Sequence, residues 1–185
     1  MTSVAVIVGS LRKESINLKL AQALIKLSKE LPQQPDFKLV SIADLPLHNE
    51  DLWQDPPASI LKFKDEIKGA DAVLIVSPEH NRSITAPLKN ALDWASRPGG
   101  QSVWPHKPVA IVGTSPGKLG TAVAQSQLRV ILLTLNMRVL PQPEIYLQYQ
   151  DDLFNDQHDI VNPKTHDYLK GFLQAFLDWI QLTKG

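Results

Sequence analysis

The sequence predicts an α/β protein: a three-layer sandwich in which a five-stranded parallel sheet carries helices on both faces. Three observations predict it. Short apolar runs recur at Val4 to Val8, Ala72 to Val76 and Val109 to Gly113 without polar alternation, as strands buried on both faces require. Segments of helical periodicity separate them. Clusters of Gly, Ser, Asn and Pro stand where the runs end, at the turns into crossover helices. The chain has 185 residues, enough for one domain with a substantial core, and shows no internal repeat.

The elements follow in order along the sequence. A first strand over residues 3–8 leads to a helix from Ser15 to Leu31, with Leu18, Ala21, Leu24, Ile25 and Leu27 on one face. Pro32 and Pro35 end it. Phe37 to Ile42 is a second strand, and residues 58–69 form a helix. Between them lies ADLPLHNEDLWQDPP, Ala43 to Pro57, acidic and longer than usual connections, hence functional or a covering flap. Ala70 to Val76 is the third strand, and Pro87 to Ser96 a helix with proline in its first turn, where it is tolerated. Val109 to Gly113 is the fourth strand, 119–136 a helix, Val139 to Tyr146 the last strand, and Thr165 to Leu182 the closing helix.

The segment VAVIVGSLRKESIN, residues 4–17, has the parts of a phosphate site. Gly9 permits a tight exit from the strand. Ser10, Ser15 and Asn17 supply neutral donors, and Arg12 a forked cation. Ser15 is placed to cap the following helix, whose free N–H groups point at a bound anion. The turn is neither G-x-G-x-x-G nor G-x-x-x-x-G-K-[ST], and one glycine among hydroxyls suits a single phosphate monoester. The plainer reading is a strand–turn–helix unit whose Ser and Asn only cap, though that leaves Arg12 without a packing reason.

Ligands of such sheets bind beyond the carboxyl ends of the strands, where the strand order reverses. Three segments meet there: Gly9 to Asn17, Ser77-Pro78-Glu79-His80-Asn81, and Thr114 to Gly120. Loops of this composition expose backbone groups able to read the edge of a polar heterocycle.

Composition narrows the function classes. Lys+Arg and Asp+Glu are both 19, a formal net charge of zero, which lacks the basic footprint of a nucleic-acid partner. The absence of cysteine excludes disulfides, thiolate metal sites and cysteine nucleophiles, and fits a cytoplasmic protein. No apolar run spans a bilayer, and the N-terminus lacks a signal-peptide layout. Histidines at 48, 80, 106, 158 and 166 show no H-x-x-x-H spacing, so no metal site is expected.

GSLRKESIN, SPEHNRSITAPLKNALDWASR and GTSPGKLGTAVAQSQLR resemble the three signatures of the NADPH-dependent FMN reductase family. The resemblance runs from the first strand to about Glu144, and its PE-x-N…LKNA-x-DW-x-SR block is specific. It implies a flavodoxin-like fold, noncovalent FMN, hydride delivery from NADPH or NADH, and a small electron acceptor such as a quinone. It implies Ser10, Arg12, Ser15 and Asn17, with the adjoining Leu18, around the FMN phosphate. Pro78, Glu79, His80 and Asn81 match the loop lining the isoalloxazine ring, and Ser115 and Gly117 the loop on its other edge. No side chain is required as a catalytic acid or base. A homodimer or homotetramer is implied, with the pocket walled partly by the neighbour. Two positions depart from the pattern: His80 stands where the family usually has Tyr, and Thr85-Ala86 where it often has Pro-Gly. Placed beside the ring, His80 would make turnover depend on pH; pointed to solvent, it would not.

Other readings remain beside this one. An FMN-binding electron carrier of the same shape is usually strongly acidic, and this chain is neutral. Ser10, His80 and Asp93 invite comparison with a hydrolytic triad, but no G-x-S-x-G elbow is present. Lys89 and Asp93 are spaced for a helix-surface pair, and Trp94 for the core. The apolar residues of the helices at 87–97 and 119–136 exceed what one sheet face obviously needs, which fits a subunit interface unless both helices bury them internally.

Overall fold

The computed structural model describes residues 1–183. Its strands are β1 (Ser3–Val8), β2 (Asp36–Val40), β3 (Ala72–Val76), β4 (Pro108–Ser115), β5 (Arg138–Val139) and β6 (Ile145–Gln148). The helices are α1 (Ile16–Ser28), α2 (Ala58–Gly69), α3 (Ala86–Ala95), α4 (Ala122–Thr134) and α5 (Pro163–Thr183). All strand pairs are parallel, in the order β2-β1-β3-β4-β5, with β6 also paired to β4. The order reverses between β1 and β3, so their loops diverge there and leave a crevice at the carboxyl edge.

The alternation of strand side chains sorts the core into two layers. Val4, Val6 and Val8 face α1 and α5, meeting Leu20, Leu24, Phe172 and Phe176. Ala5 and Ile7 face the opposite layer, with Phe63 of α2, Leu88 and Leu92 of α3, and Leu128 of α4. Each fully buried Leu, Ile or Phe contributes about 1.5–3 kcal/mol.

The fifth strand position is filled by two short strands rather than one continuous run. β5 pairs with the start of β4 through Val109↔Val139, and β6 with its end through Val112↔Ile145. Pro141 and Pro143 stand between them and have no N–H to give the ladder. Arg129 of α4 braces the break: its Nη1 donates to the Leu140 carbonyl at 2.9 Å, and its Nε lies 3.2 Å from Glu144. α1 stops three residues before Leu31 because its last N–H groups bond three residues back, as in Glu30 N–H to Leu27 O at 3.0 Å, tightening the final turn. α4 starts at Ala122 because Gly120, at φ +57, closes a separate turn before it.

The long 43–57 segment is a covering strap on α3. Pro46 O accepts from Trp94 Nε1 at 2.7 Å and from Asn90 Nδ2 at 2.9 Å, while Asn90 Oδ1 accepts from the His48 N–H at 2.8 Å. Trp53, in the short 3₁₀ helix Glu50–Gln54, packs edge-on to Trp94 at 5.3 Å. Trp94 is fully buried beneath it. The apolar residues of α3 therefore serve their own chain: Leu88, Ala91, Leu92, Trp94 and Ala95 are all at most 1 % exposed. On α4, Leu128 and Leu132 are likewise buried, and the apolar residues left in solvent are Val130 and Leu133, with Leu119 just before the helix.

Candidate functional site

Three loops meet at the carboxyl edge of β1, β3 and β4, and hydrogen bonds tie them into one rim. The Gly9 N–H donates to Val76 O at 2.9 Å, and the Ser77 N–H to Val112 O at 2.9 Å. The Thr85 hydroxyl, buried as the N-cap of α3, donates to Gly9 O. Two glycines of the rim, Gly9 and Gly113, are required by close approach. A Cβ on Gly9 would stand 3.1 Å from Pro78 Cδ, and one on Gly113 would stand 2.2 Å from Ser77 O.

In the first loop, Ser15 caps α1, its Oγ accepting the Leu18 N–H at 3.3 Å. Among the described residues nothing pairs with the N–H groups of Ile16 and Asn17, the orphan donors of a helix start. The Ser10 Oγ accepts the Arg12 N–H at 3.3 Å. Among the described residues, neither Arg12 nor Lys13 has an ion-pair partner. A depression of about 290 Å³ opens beside them, lined by Ser10, Leu11, Arg12, Lys13 and Leu18 on one side and by residues 39–43 on the other. A hydroxyl and two unpaired cations line this hollow, and the free N–H groups of the α1 start follow in the same loop, a donor set that fits a phosphate monoester.

Asn17 is buried and differently engaged. Its Nδ2 donates to Thr114 O at 2.9 Å and its Oδ1 accepts the Thr114 N–H at 3.0 Å. Of the residues expected at the phosphate, Asn17 is thus a strut between α1 and β4, and only its backbone N–H remains toward an anion.

In the second loop, Pro78 is buried and its neighbours form a tight turn. His80 and Ser83 exchange both backbone hydrogen bonds, at 3.0 and 2.9 Å, around Asn81 at φ 50 and Arg82 at φ 63. Two successive positive φ values define a type I′ turn, which favours Asn first and Gly second. Glu79 turns its carboxylate to the first turn of α4, and the His80 ring stands exposed. In the third loop, the Ser115 hydroxyl donates to Gly120 O, and the Gly120 N–H to Gly117 O at 2.9 Å, leaving Gly117 and Lys118 exposed at the rim.

No hydrolytic relay forms. Asp93 pairs with Lys89 at 2.7 Å, the helix-surface pair its spacing suggested, and the His80 ring contacts neither Ser10 nor Asp93. A groove of about 720 Å³, lined by Trp53, Lys64, Lys68, Gln101 and Lys107 among others, lies beside the N-terminal end of β4, away from the rim. Its Lys64 amine is engaged by Gln101 O at 3.0 Å and by Arg97 O, and burial pushes its pKa down. Among the described residues no group of His, Cys, Asp or Glu could hold a metal ion, and no helix is long and apolar enough to cross a membrane.

Sequence reasoning missed Thr85, Gly113 and Gln127, whose Nε2 donates to Arg82 O at 2.7 Å, as builders of the rim. Thr85 carried a signal, a hydroxyl residue two before a first-turn proline. The other two carried none, because each acts on a segment distant in sequence.

The profile of the NADPH-dependent FMN reductase family matches residues 2–152. A 2-hydroxy-1,4-benzoquinone reductase of a Burkholderia species is 46% identical over 178 residues, covering 96% of this chain and 96% of that protein. A quinone reductase of Pseudomonas putida is 46% identical over 184 residues, covering 99% of this chain and 97% of that one. Among solved structures, FerB of Paracoccus denitrificans, a flavoenzyme NAD(P)H:(acceptor) oxidoreductase, superposes with a TM-score of 0.94 at 45% identity, covering 99% of both chains. The flavodoxin-like sheet, the assembled rim and these matches agree: the chain belongs to the NADPH-dependent FMN reductase family of flavin-dependent oxidoreductases.

Proposed function

We propose that this chain transfers hydride from NAD(P)H, by way of bound FMN, to quinones or similar small electron acceptors. The observation that carries the reading is the rim: free helix N–H groups, Ser10 and the unpaired Arg12 at one end, the His80–Ser83 and Ser115–Gly120 loops at the other. FMN, when bound, supplies the redox chemistry, accepting a hydride and passing electrons on. The chain's own residues bind, orient and exclude water. In this reading Ser10, Arg12 and the α1 start capped by Ser15 hold the phosphate, beside Asn17 and Leu18. Pro78, His80 and Asn81 flank one edge of the ring, and Ser115 and Gly117 the other. Buried Pro78 keeps water from the ring's inner side. In this reading no side chain serves as a general acid or base.

The names of the Burkholderia and Pseudomonas relatives support a quinone as acceptor. Assembly as a homodimer or homotetramer belongs to the same proposal, with Val130 and Leu133 of α4, 65% and 64% exposed, as apolar surface available for it. So does a single FMN-binding domain working in the cytoplasm. The test is steady-state assay of the purified, FMN-loaded protein with NADPH or NADH against benzoquinones. Turnover supports the proposal, and its absence with every quinone tried removes it.

A further inference from the structure

Glu79 joins the second and third rim loops. Its Oε2 accepts the N–H groups of Val123 at 3.1 Å and Ala124 at 3.0 Å, in the first turn of α4, and its Oε1 lies 3.1 Å from Arg82 Nη1. The side chain is 8% exposed. A helix start leaves N–H groups unpaired, and the residue just before it usually satisfies them. Thr121 stands there, but its hydroxyl accepts from Gln125 Nε2 at 2.9 Å and caps nothing. The cap comes instead from Glu79, 44 residues earlier than Val123. A carboxylate at a helix N-terminus is favoured by the helix dipole as well as by the hydrogen bonds.

α4 grips the same turn a second time. Gln127 Nε2 donates to Arg82 O at 2.7 Å, and the Ser83 hydroxyl donates to Gln127 Oε1 at 2.6 Å. The turn needs holding, because Arg82 at φ 63 occupies a conformation that disfavours any residue with a Cβ. Such a backbone persists only where its surroundings over-determine it.

We propose that Glu79 is a positioning residue: through α4 it fixes the placement of the His80–Ser83 turn relative to the Ser115–Gly120 loop. This rests on the reading of the rim as the FMN site. Glu79 then acts on the ring through backbone placement, since its oxygens are already engaged by Val123, Ala124 and Arg82. Glu79→Ala removes the acceptor and frees the turn. Glu79→Gln keeps an acceptor for α4 and loses the charge. Gln127→Ala removes the second grip alone.

The test compares these three proteins with wild type by the flavin's visible absorption band after FMN loading and by FMN affinity from fluorescence titration. Glu79→Ala is expected to shift the band and weaken FMN binding several-fold. Gln127→Ala should shift both in the same direction by less, and Glu79→Gln should restore most of the wild-type behaviour. A folded Glu79→Ala protein with the wild-type band and affinity overturns the proposal. If that variant does not fold, an unchanged band and affinity in Gln127→Ala overturn it. Arg12→Ala is run in parallel. Weakened FMN in Arg12→Ala with none in Glu79→Ala ends the positioning role alone, whereas no effect in either ends the reading of the rim itself.

Discussion

Asn17 and Thr114 are joined by a reciprocal pair of hydrogen bonds, Nδ2 to carbonyl at 2.9 Å and N–H to Oδ1 at 3.0 Å, both buried. The pair locks the start of α1 to the end of β4, and with them the first rim loop to the third. Asn17→Ala leaves the Thr114 N–H and C=O unpaired in the interior, which costs about 1–3 kcal/mol per group. Urea unfolding of the FMN-free protein should show a loss of that order. A midpoint equal to wild type would mean that water replaces the amide.

Arg12 makes the opposite expectation. Among the described residues its guanidinium has no ion-pair partner, so Arg12→Ala should leave the FMN-free protein as stable as wild type. A lost hydrogen bond to a charged group is worth about 1.5–3 kcal/mol, so FMN affinity should fall about tenfold or more. Thermal melts and fluorescence titration read the two effects separately. Equal FMN affinity would remove Arg12 from the site.

Gly113 leaves no room for a side chain. An added Cβ would stand 2.2 Å from Ser77 O and 2.4 Å from Thr121 Oγ1. One is backbone and the other a buried hydroxyl, so the strands must part. Gly113→Ala should destabilise by about 3 kcal/mol, the upper end for overpacking, and abolish FMN binding together with stability. A stable, FMN-binding variant would show that β3 and β4 separate more readily than their register implies.

His166 and Glu30 form a pH-dependent link between α5 and the segment after α1, 3.3 Å apart, with Lys170 2.9 Å from the same carboxylate. The hydrogen bond that His166 donates to Glu30 raises the imidazole above its ordinary value of 6.5, against the opposing effect of burial. The Lys170 hydrogen bond lowers Glu30 below its ordinary 4.5, aided by His166. A raised histidine contributes fully below 6.5 and loses its contribution as pH rises through its folded value; a lowered carboxylate contributes above 4.5 and loses it as pH falls through its own. The stability lost in His166→Ala should therefore be largest between those values and shrink as pH rises through the histidine's raised folded value. The His166 and Glu30 side chains are 29% and 47% exposed, so the effect should be small and fade in concentrated salt. Melting curves of both proteins across that range check it, and a difference that grows with rising pH would reverse the assignment.

His80 stands exposed at the turn, with only its backbone engaged. If it flanks the ring, His80→Tyr should change the bound flavin's visible absorption band and the turnover rate. Identical bands and rates in the two proteins make it a bystander.

Much of this was legible in the residues. The continuous apolar runs at Val4, Ala72 and Val109 placed three central strands, because burial on both faces leaves no other pattern. The Ser15 cap and the Lys89–Asp93 pair followed from local spacing. What escaped was long-range. Pro141 and Pro143 break the last strand only because β4 offers it a ladder to lose. Asn17 reads like an anion ligand in sequence, and its partner Thr114 lies 97 residues away. Glu79 reads in sequence as part of the ring-lining loop, and its carboxylate's partners on α4 lie 44 and 45 residues away.

The central claim, that the rim holds FMN for hydride transfer to quinones, is tested most directly by anaerobic titration of the FMN-loaded protein with NADPH, followed by addition of a benzoquinone. The account predicts that stoichiometric NADPH bleaches the visible flavin band and that the quinone restores it, both within the time of one steady-state turnover. A band that persists through excess NADPH and NADH, in a protein that has retained its FMN, would contradict it and leave a flavin-binding electron carrier in its place.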